Sequence, residues 1–212
     1  MSRPKRQRRP EDRPDEILDA ALAVFTEQGF AAARVDDIAK RAGLSKGAVY
    51  LYFPSKDAML NALVEQSAGL VAQSAERMVA AAAPGDPEQA FRAVLRMVLT
   101  VLSDPEVSAA PRLVLSEAPR FPELAAYYRT HVIDIGQRAF RALFAAGIER
   151  GRFRAVDADA AMRALMGPVI AHVLLTTIFN RPGDPQHDPA VMADALADIV
   201  LNGLKPRPGD VS

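Results

Sequence analysis

The chain has 212 residues, half of them hydrophobic, which is enough for one large domain or two small ones with a real core. It has no cysteine and only three widely spaced histidines, which excludes a disulfide framework, thiolate chemistry and an obvious zinc site. The 26 basic and 26 acidic side chains cancel, but unevenly: residues 1–56 carry 11 Lys and Arg against 8 Asp and Glu, and the remainder 15 against 18. A mildly basic head on an acidic body suits contact with a polyanion at one end.

Residues 1–12 read as a disordered basic arm, with Arg3, Lys5, Arg6, Arg8 and Arg9 set between prolines. The arm is basic and then acidic rather than apolar, unlike a secretory leader. A first helix is expected from about Pro14 to Gln28. Ile17, Ala21, Val24 and Phe25 form its inner face, and Gly29 closes it.

The stretch 34–56 reads RVDDIAKRAGLSKGAVYLYFPSK. Val35, Ile38, Ala39 and Ala42 lie at helical spacing, and Gly43 can supply the left-handed residue that ends the helix. Ser45 is a good N-cap for a second helix, Lys46 to Phe53, which Pro54 stops. Two short helices about a tight glycine turn are a helix-turn-helix pattern, although a plain helical hairpin has the same spacing.

In the helix-turn-helix reading, Lys46, Gly47, Ala48 and Tyr50 enter a major groove. Lysine donates to a guanine edge or a phosphate, and Gly47 and Ala48 let the backbone approach. Ser45, Tyr50, Tyr52 and Lys56 are candidates for the flanking phosphates, and Arg34 and Val35 for contacts at the start of the first helix.

The segments ILDAALAVFTEQGF, VDDIAKRAGLSKGAVYLYFPSK and DAMLNALV resemble, in order and spacing, the DNA-binding domain of the TetR family of transcriptional regulators. The resemblance covers about residues 14–65. One departure stands out. The family usually places Ser or Thr just before the VDDIA helix, whereas this chain has Ala33 and Arg34. Arg34 reaches a phosphate with more charge, but it does not cap in the same way.

A long helix is expected from Ser55 to about Ala83, about 40 Å at 1.5 Å per residue. It links the head, 13–60, to a body, 61–206. Body helices are expected at about 87–103, 106–117, 122–150, 157–180 and 188–204, bounded by prolines and the Gly151 turn. The fold class is therefore all-α, with about nine helices, no sheet and a frayed tail at 207–212. No apolar run reaches the roughly 18–20 residues of a membrane span.

Two readings of the body follow. As a pocket, its apolar candidates are Phe91, Met97, Tyr127, Phe144 and Met166, with Arg112, Glu117, Tyr128, His131 and His172 as polar groups among them. The same residues also suit plain core. As a dimer surface, helices 157–180 and 188–204 are rich in Ala, Leu, Val and Ile, and the former is apolar on most sides. Pro168 should kink it. The family resemblance implies a cavity in this domain and a four-helix bundle between the last two helices of two copies.

These features point to a cytoplasmic homodimer that binds a palindromic double-stranded operator and is released by a small apolar ligand. The alternative is a regulator whose body answers to a protein partner or to no ligand. No P-loop, G-x-G-x-x-G, HExxH or Ser/His/Asp arrangement suggests an enzyme, and no cofactor is implied.

Overall fold

A computed structural model describes residues 13–82, 85–185 and 187–206, so the basic arm and the tail lie outside the described residues. Among the described residues there are eleven α-helical segments, two π-helical turns and no strand. The segments are α1 (Arg13–Gln28), α2 (Val35–Ala42), α3 (Lys46–Tyr50), α4 (Lys56–Val64), α5 (Leu70–Ala82), α6 (Pro87–Leu102), α7 (Pro105–Glu117), α8 (Pro122–Tyr128), α9 (Asp134–Glu149), α10 (Ala158–Thr177) and α11 (Pro189–Leu204). The π turns Glu65–Gly69 and Arg129–Ile133 join α4 to α5 and α8 to α9, which leaves nine continuous helices among the described residues. The expected long helix and the expected helix 122–150 are thus each continuous but interrupted by one wide turn.

The chain forms two compact units. One comprises residues 13–66 with 109–128, the other 67–108 with 129–206. The first unit is built on α1, whose Ile17, Leu18, Ala21, Val24 and Phe25 are buried. Phe30 sits at the centre of an aromatic cluster. Its ring meets Phe25 and Phe121 edge-on, at 5.1 and 5.0 Å between centroids, a favoured aromatic geometry.

The second unit packs α5, α6, α9, α10 and α11 around Phe91, Leu95, Leu99, Phe140, Leu143 and Phe144. Local sequence sets its helix starts. Asp86, Asp157 and Asp188 each accept a backbone N–H as N-caps, and Pro87 and Pro189 occupy the first turns. Asp157 thus has the helix-start role its position suggests. Arg92–Asp198 and Arg96–Asp194 pairs, at 2.5 Å each, tie α6 to α11. α9 ends at Gly151, with φ +66°, and the chain turns back so that the N–H groups of Arg152 and Phe153 both donate to Gly147 O.

Two expected helix ends need adjusting. The recognition helix stops at Tyr50 instead of Phe53. The N–H groups of Tyr52 and Phe53 both donate to Val49 O, which tightens the last turn, and Phe53, the residue before Pro54, lies outside the helix. Helix 157–180 ends at Thr177, with Pro168 inside it. α10 is by length and composition apolar enough to cross a membrane, although, as expected, no unbroken apolar run in it reaches that length. Arg163, Gly167, His172 and the threonines interrupt the apolar run, yet they do not offset its Ala, Leu, Val and Ile content.

A tight packing contact offers a stability test. A Cβ added at Gly147 would overlap the buried Phe153 ring. Gly147→Ala should therefore destabilise the second unit by about 1–3 kcal/mol through overpacking, read as a lower urea midpoint, while Gly136→Ala, where nothing lies within 4 Å, should not.

Candidate nucleic-acid interface

The helix-turn-helix follows from a few backbone requirements. α2 ends in a left-handed Gly43 (φ 68°), and the Leu44 N–H returns to Ala39 O at 2.9 Å. This glycine-closed helix end satisfies carbonyls that would otherwise be orphaned. Ser45 is extended, and its Oγ accepts the Ala48 N–H at 3.2 Å. At the other end of α2, Arg34 occupies the cap position and makes no side-chain cap bond, as its side chain requires. Asp36 and Asp37 in the first turn complement the helix dipole instead.

α3 is five residues long and is held by one buried anchor, Val49. The side chains around that anchor face outward. Ser45, Lys46, Gly47, Tyr50 and Tyr52 are exposed, as is Arg34, while Val35 and Ala48 are half-buried. Of the predicted contact residues, all but Val35, Ala48 and Lys56 are exposed. Leu51, not singled out from the sequence, is 84 % exposed there. An apolar residue so placed at the end of a hydrophobic run reads as core in a one-dimensional pattern, and its outward direction emerges only once Val49 is seen to point in.

Two lysines are already engaged. Lys46 Nζ donates to Asp36 Oδ2 at 2.9 Å, so α2 and α3 are bridged across the turn. The Asp36 hydrogen bond raises the lysine pKa, and its charge adds to that. Lys56 turns inward. Its Nζ donates to Phe30 O at 2.7 Å and Ala31 O at 3.1 Å and lies 4.7 Å from the centre of the Phe30 ring. That geometry makes Lys56 a strut between α4 and the α1–α2 turn, with its charge spent on carbonyls and an aromatic face. A doubly bonded Arg41–Glu27 pair, at 2.6 and 2.7 Å, holds the ends of α1 and α2 together.

The ten pocket candidates are divided between the two units. Arg112, Glu117, Tyr127 and Tyr128 belong to the first unit, and the other six to the second. Phe91 and Phe144 are core residues and Met166 packs against that core. Burial raises the Tyr128 pKa to about 12. Tyr127 is raised to about 12 as well, first by burial and then by its hydrogen bond to Glu65. His172 is buried, and burial followed by the charge of His187 lowers its pKa. Its Nε2 has no hydrogen-bond partner among the described residues.

A cavity of about 270 Å³ lies between α5 and α9 in the second unit. Its buried lining is Val79, Ala139 and Leu143, and Glu76, Arg138 and Arg150 also line it. None of the ten candidates lines it. Met97 lines a separate shallow groove along α6. Periodicity could not find the α5–α9 cavity, because five of its eleven lining residues are alanine, which any helix face can present.

α10 and α11 expose apolar side chains. Leu175 is 62 % and Ile199 69 % exposed, and Ile170, Ile178 and Val191 are exposed beside them.

Two family models match the chain. Bacterial regulatory proteins of the tetR family match residues 17–63, and the tetracyclin repressor-like C-terminal domain matches residues 81–182. The HTH-type transcriptional regulator EthR of Mycolicibacterium smegmatis is 33 % identical over 124 residues, 57 % of this chain and 57 % of that protein. The chain thus spans little more than half the length of that curated relative. Among solved structures, the TetR family regulator PfmR of Thermus thermophilus is 28 % identical, with a TM-score of 0.71, covering 90 % of this chain and 99 % of that one. FadR of Bacillus subtilis, in complex with stearoyl-CoA, shares the fold at 22 % identity and a TM-score of 0.65, covering 90 % and 98 %.

The Lys46–Asp36 bridge competes with any phosphate for the same ammonium. Asp36→Asn should release Lys46 and tighten duplex DNA binding at low salt. The log–log salt dependence should steepen by roughly 0.9, the increment for one more neutralised phosphate. Fluorescence anisotropy at several salt concentrations measures both.

Proposed function

The chain belongs to the TetR family of transcriptional regulators, and from that premise we propose that it is a homodimeric repressor whose operator is released when a small apolar ligand binds the second unit. Family members are sequence-specific helix-turn-helix regulators, and ligand-responsive repression is typical of them. The observation that carries the proposal is the surface of α3, where Lys46, Gly47 and Tyr50 stand exposed over a single buried anchor. A helix so presented can enter a major groove with its N-terminal side chains against base edges.

One such helix reads few base pairs. Two copies related by a two-fold axis, with half-sites about 34–36 Å apart, supply the missing affinity and specificity. The exposed apolar residues of α10 and α11 support a partner copy at that face. Exposed Ala164, Gly167 and Ala171 alternate there with Ile170, Leu175 and Ile178, and small residues allow close helix approach. The apolar exposure that makes α10 long and hydrophobic enough for a membrane has a simpler use between subunits. Operator binding places the protein in the cytoplasm.

The α5–α9 cavity has a buried apolar lining, a carboxylate and two guanidinium groups, which suits an apolar ligand with a polar head. The relative in complex with stearoyl-CoA makes long-chain acyl compounds the first class to test. A ligand need favour the non-binding state by only a few kcal/mol to empty an operator. Thermal stabilisation by such compounds separates this reading from a body that answers to a protein partner or to nothing.

Lys46→Ala and Tyr50→Ala should each weaken operator binding by about 1–3 kcal/mol without altering the helical content or the dimer. Ile199→Asp should convert the dimer to monomer in sedimentation and abolish tight operator binding along with it. Full affinity in both α3 variants would remove the recognition surface, and a dimeric Ile199→Asp would move the interface elsewhere.

A further inference from the structure

α7 ends in a buried acid. Glu117 is 7 % exposed, and its Oε1 accepts the Phe30 N–H at 3.4 Å. The reason lies in how α1 ends. Gly29 is left-handed (φ +78°), and its N–H returns to Phe25 O at 2.9 Å. In the fuller form of this helix end, the next N–H also turns back to the helix. Here it points to α7. Phe30 is 1 % exposed, so without Glu117 its N–H would be a buried orphan donor, which is costly.

The same short segment is fixed at two more points. Phe121 packs edge-on against Phe30, and the Tyr127 hydroxyl donates to Glu65. Both contacts lie inside the first unit, which contains residues 109–128 alongside the helix-turn-helix.

An acid is an expensive choice for this site. Its Oε2 is buried without a hydrogen-bond partner among the described residues, and a leucine would fill similar volume with no desolvation cost. What a leucine cannot do is accept the Phe30 N–H and so fix where the chain leaves α1. Three residues on from that turn, Ala33 is buried and Arg34 opens α2. The turn's position therefore sets the position of α2, and through the Gly43 turn that of α3.

We propose that residues 109–128, although they fall within the matched C-terminal segment, work as part of the DNA-binding unit, and that Glu117 is the positioning residue that fixes the turn ahead of the helix-turn-helix. α7 begins in the second unit, at Pro105, and ends in the first. The consequence for DNA rests on the operator-binding reading above; the positioning role does not.

The test uses the full-length protein with Glu117→Leu and Glu117→Gln. Amide hydrogen exchange over residues 26–45 should rise about tenfold in Glu117→Leu, as expected for leaving a buried N–H without its acceptor. Residues 189–204 should not change. Glu117→Gln keeps an acceptor oxygen and should restore protection. On a duplex selected by the wild type, Glu117→Leu should bind about tenfold more weakly with an unchanged dimer, and Glu117→Gln should recover most of the loss. Unchanged exchange over 26–45, a rise shared equally with 189–204, or undiminished DNA binding by Glu117→Leu would each overturn the assignment. If the wild type itself selects no DNA, the exchange data still decide the positioning role, and it is the operator-binding reading that falls.

Discussion

A helix of five residues does not persist in water by itself; isolated helices shorter than about 12–15 residues are marginal. The α3 segment Lys46–Tyr50 therefore has to be shaped by everything around it. Ser45 satisfies one free N–H, Gly43 sets the entry angle, and Val49 buries against the α1–α2–α4 core. Each of these acts on one side of the helix, which leaves the other side exposed, where Lys46 bridges to Asp36 and Gly47 and Tyr50 face solvent. The recognition surface is thus what remains after the fold has used a single side chain of α3.

The same logic extends outward through the first unit. α1 supplies the floor, Phe30 ties that floor to Phe121, and Lys56 closes over the Phe30 carbonyl and ring. Lys56 and Glu117 approach Phe30 at its two backbone polar groups, one taking the C=O and the other the N–H. A buried turn with both groups satisfied by charged side chains has little freedom to drift. The exposed Arg41–Glu27 pair and the Lys46–Asp36 bridge add little by comparison, since solvent screens them.

Much of this is legible in one dimension. Gly29, Gly43, Ser45 and Ser55 are punctuation with a mechanism, and the structure uses each as a cap or a turn. The inner face of α1 follows from spacing alone. Side-chain direction is less legible. Lys56 reads as a phosphate contact because it opens a helix, yet two carbonyls draw it inward. Glu117 reads as a ligand group because it is polar on an apolar face, yet its partner is a backbone N–H 87 residues earlier, a contact that only the tertiary fold creates. The π turns at 65–69 and 129–133 leave no mark in composition, since a π turn keeps the apolar content and adds only one residue to a turn. A cavity lining rich in alanine is invisible to a reading that looks for aromatic and soft side chains.

The central claim is that α3 is presented for sequence-specific contact with duplex DNA by a dimer. The most direct test is selection of binding sites from a random duplex pool by the purified wild-type protein at two salt concentrations. The account predicts an inverted repeat whose half-sites lie about one helical turn or a whole multiple of it apart, with affinity that falls steeply as salt rises. Recovery of no common motif, with only weak salt-sensitive binding to every sequence, would contradict it.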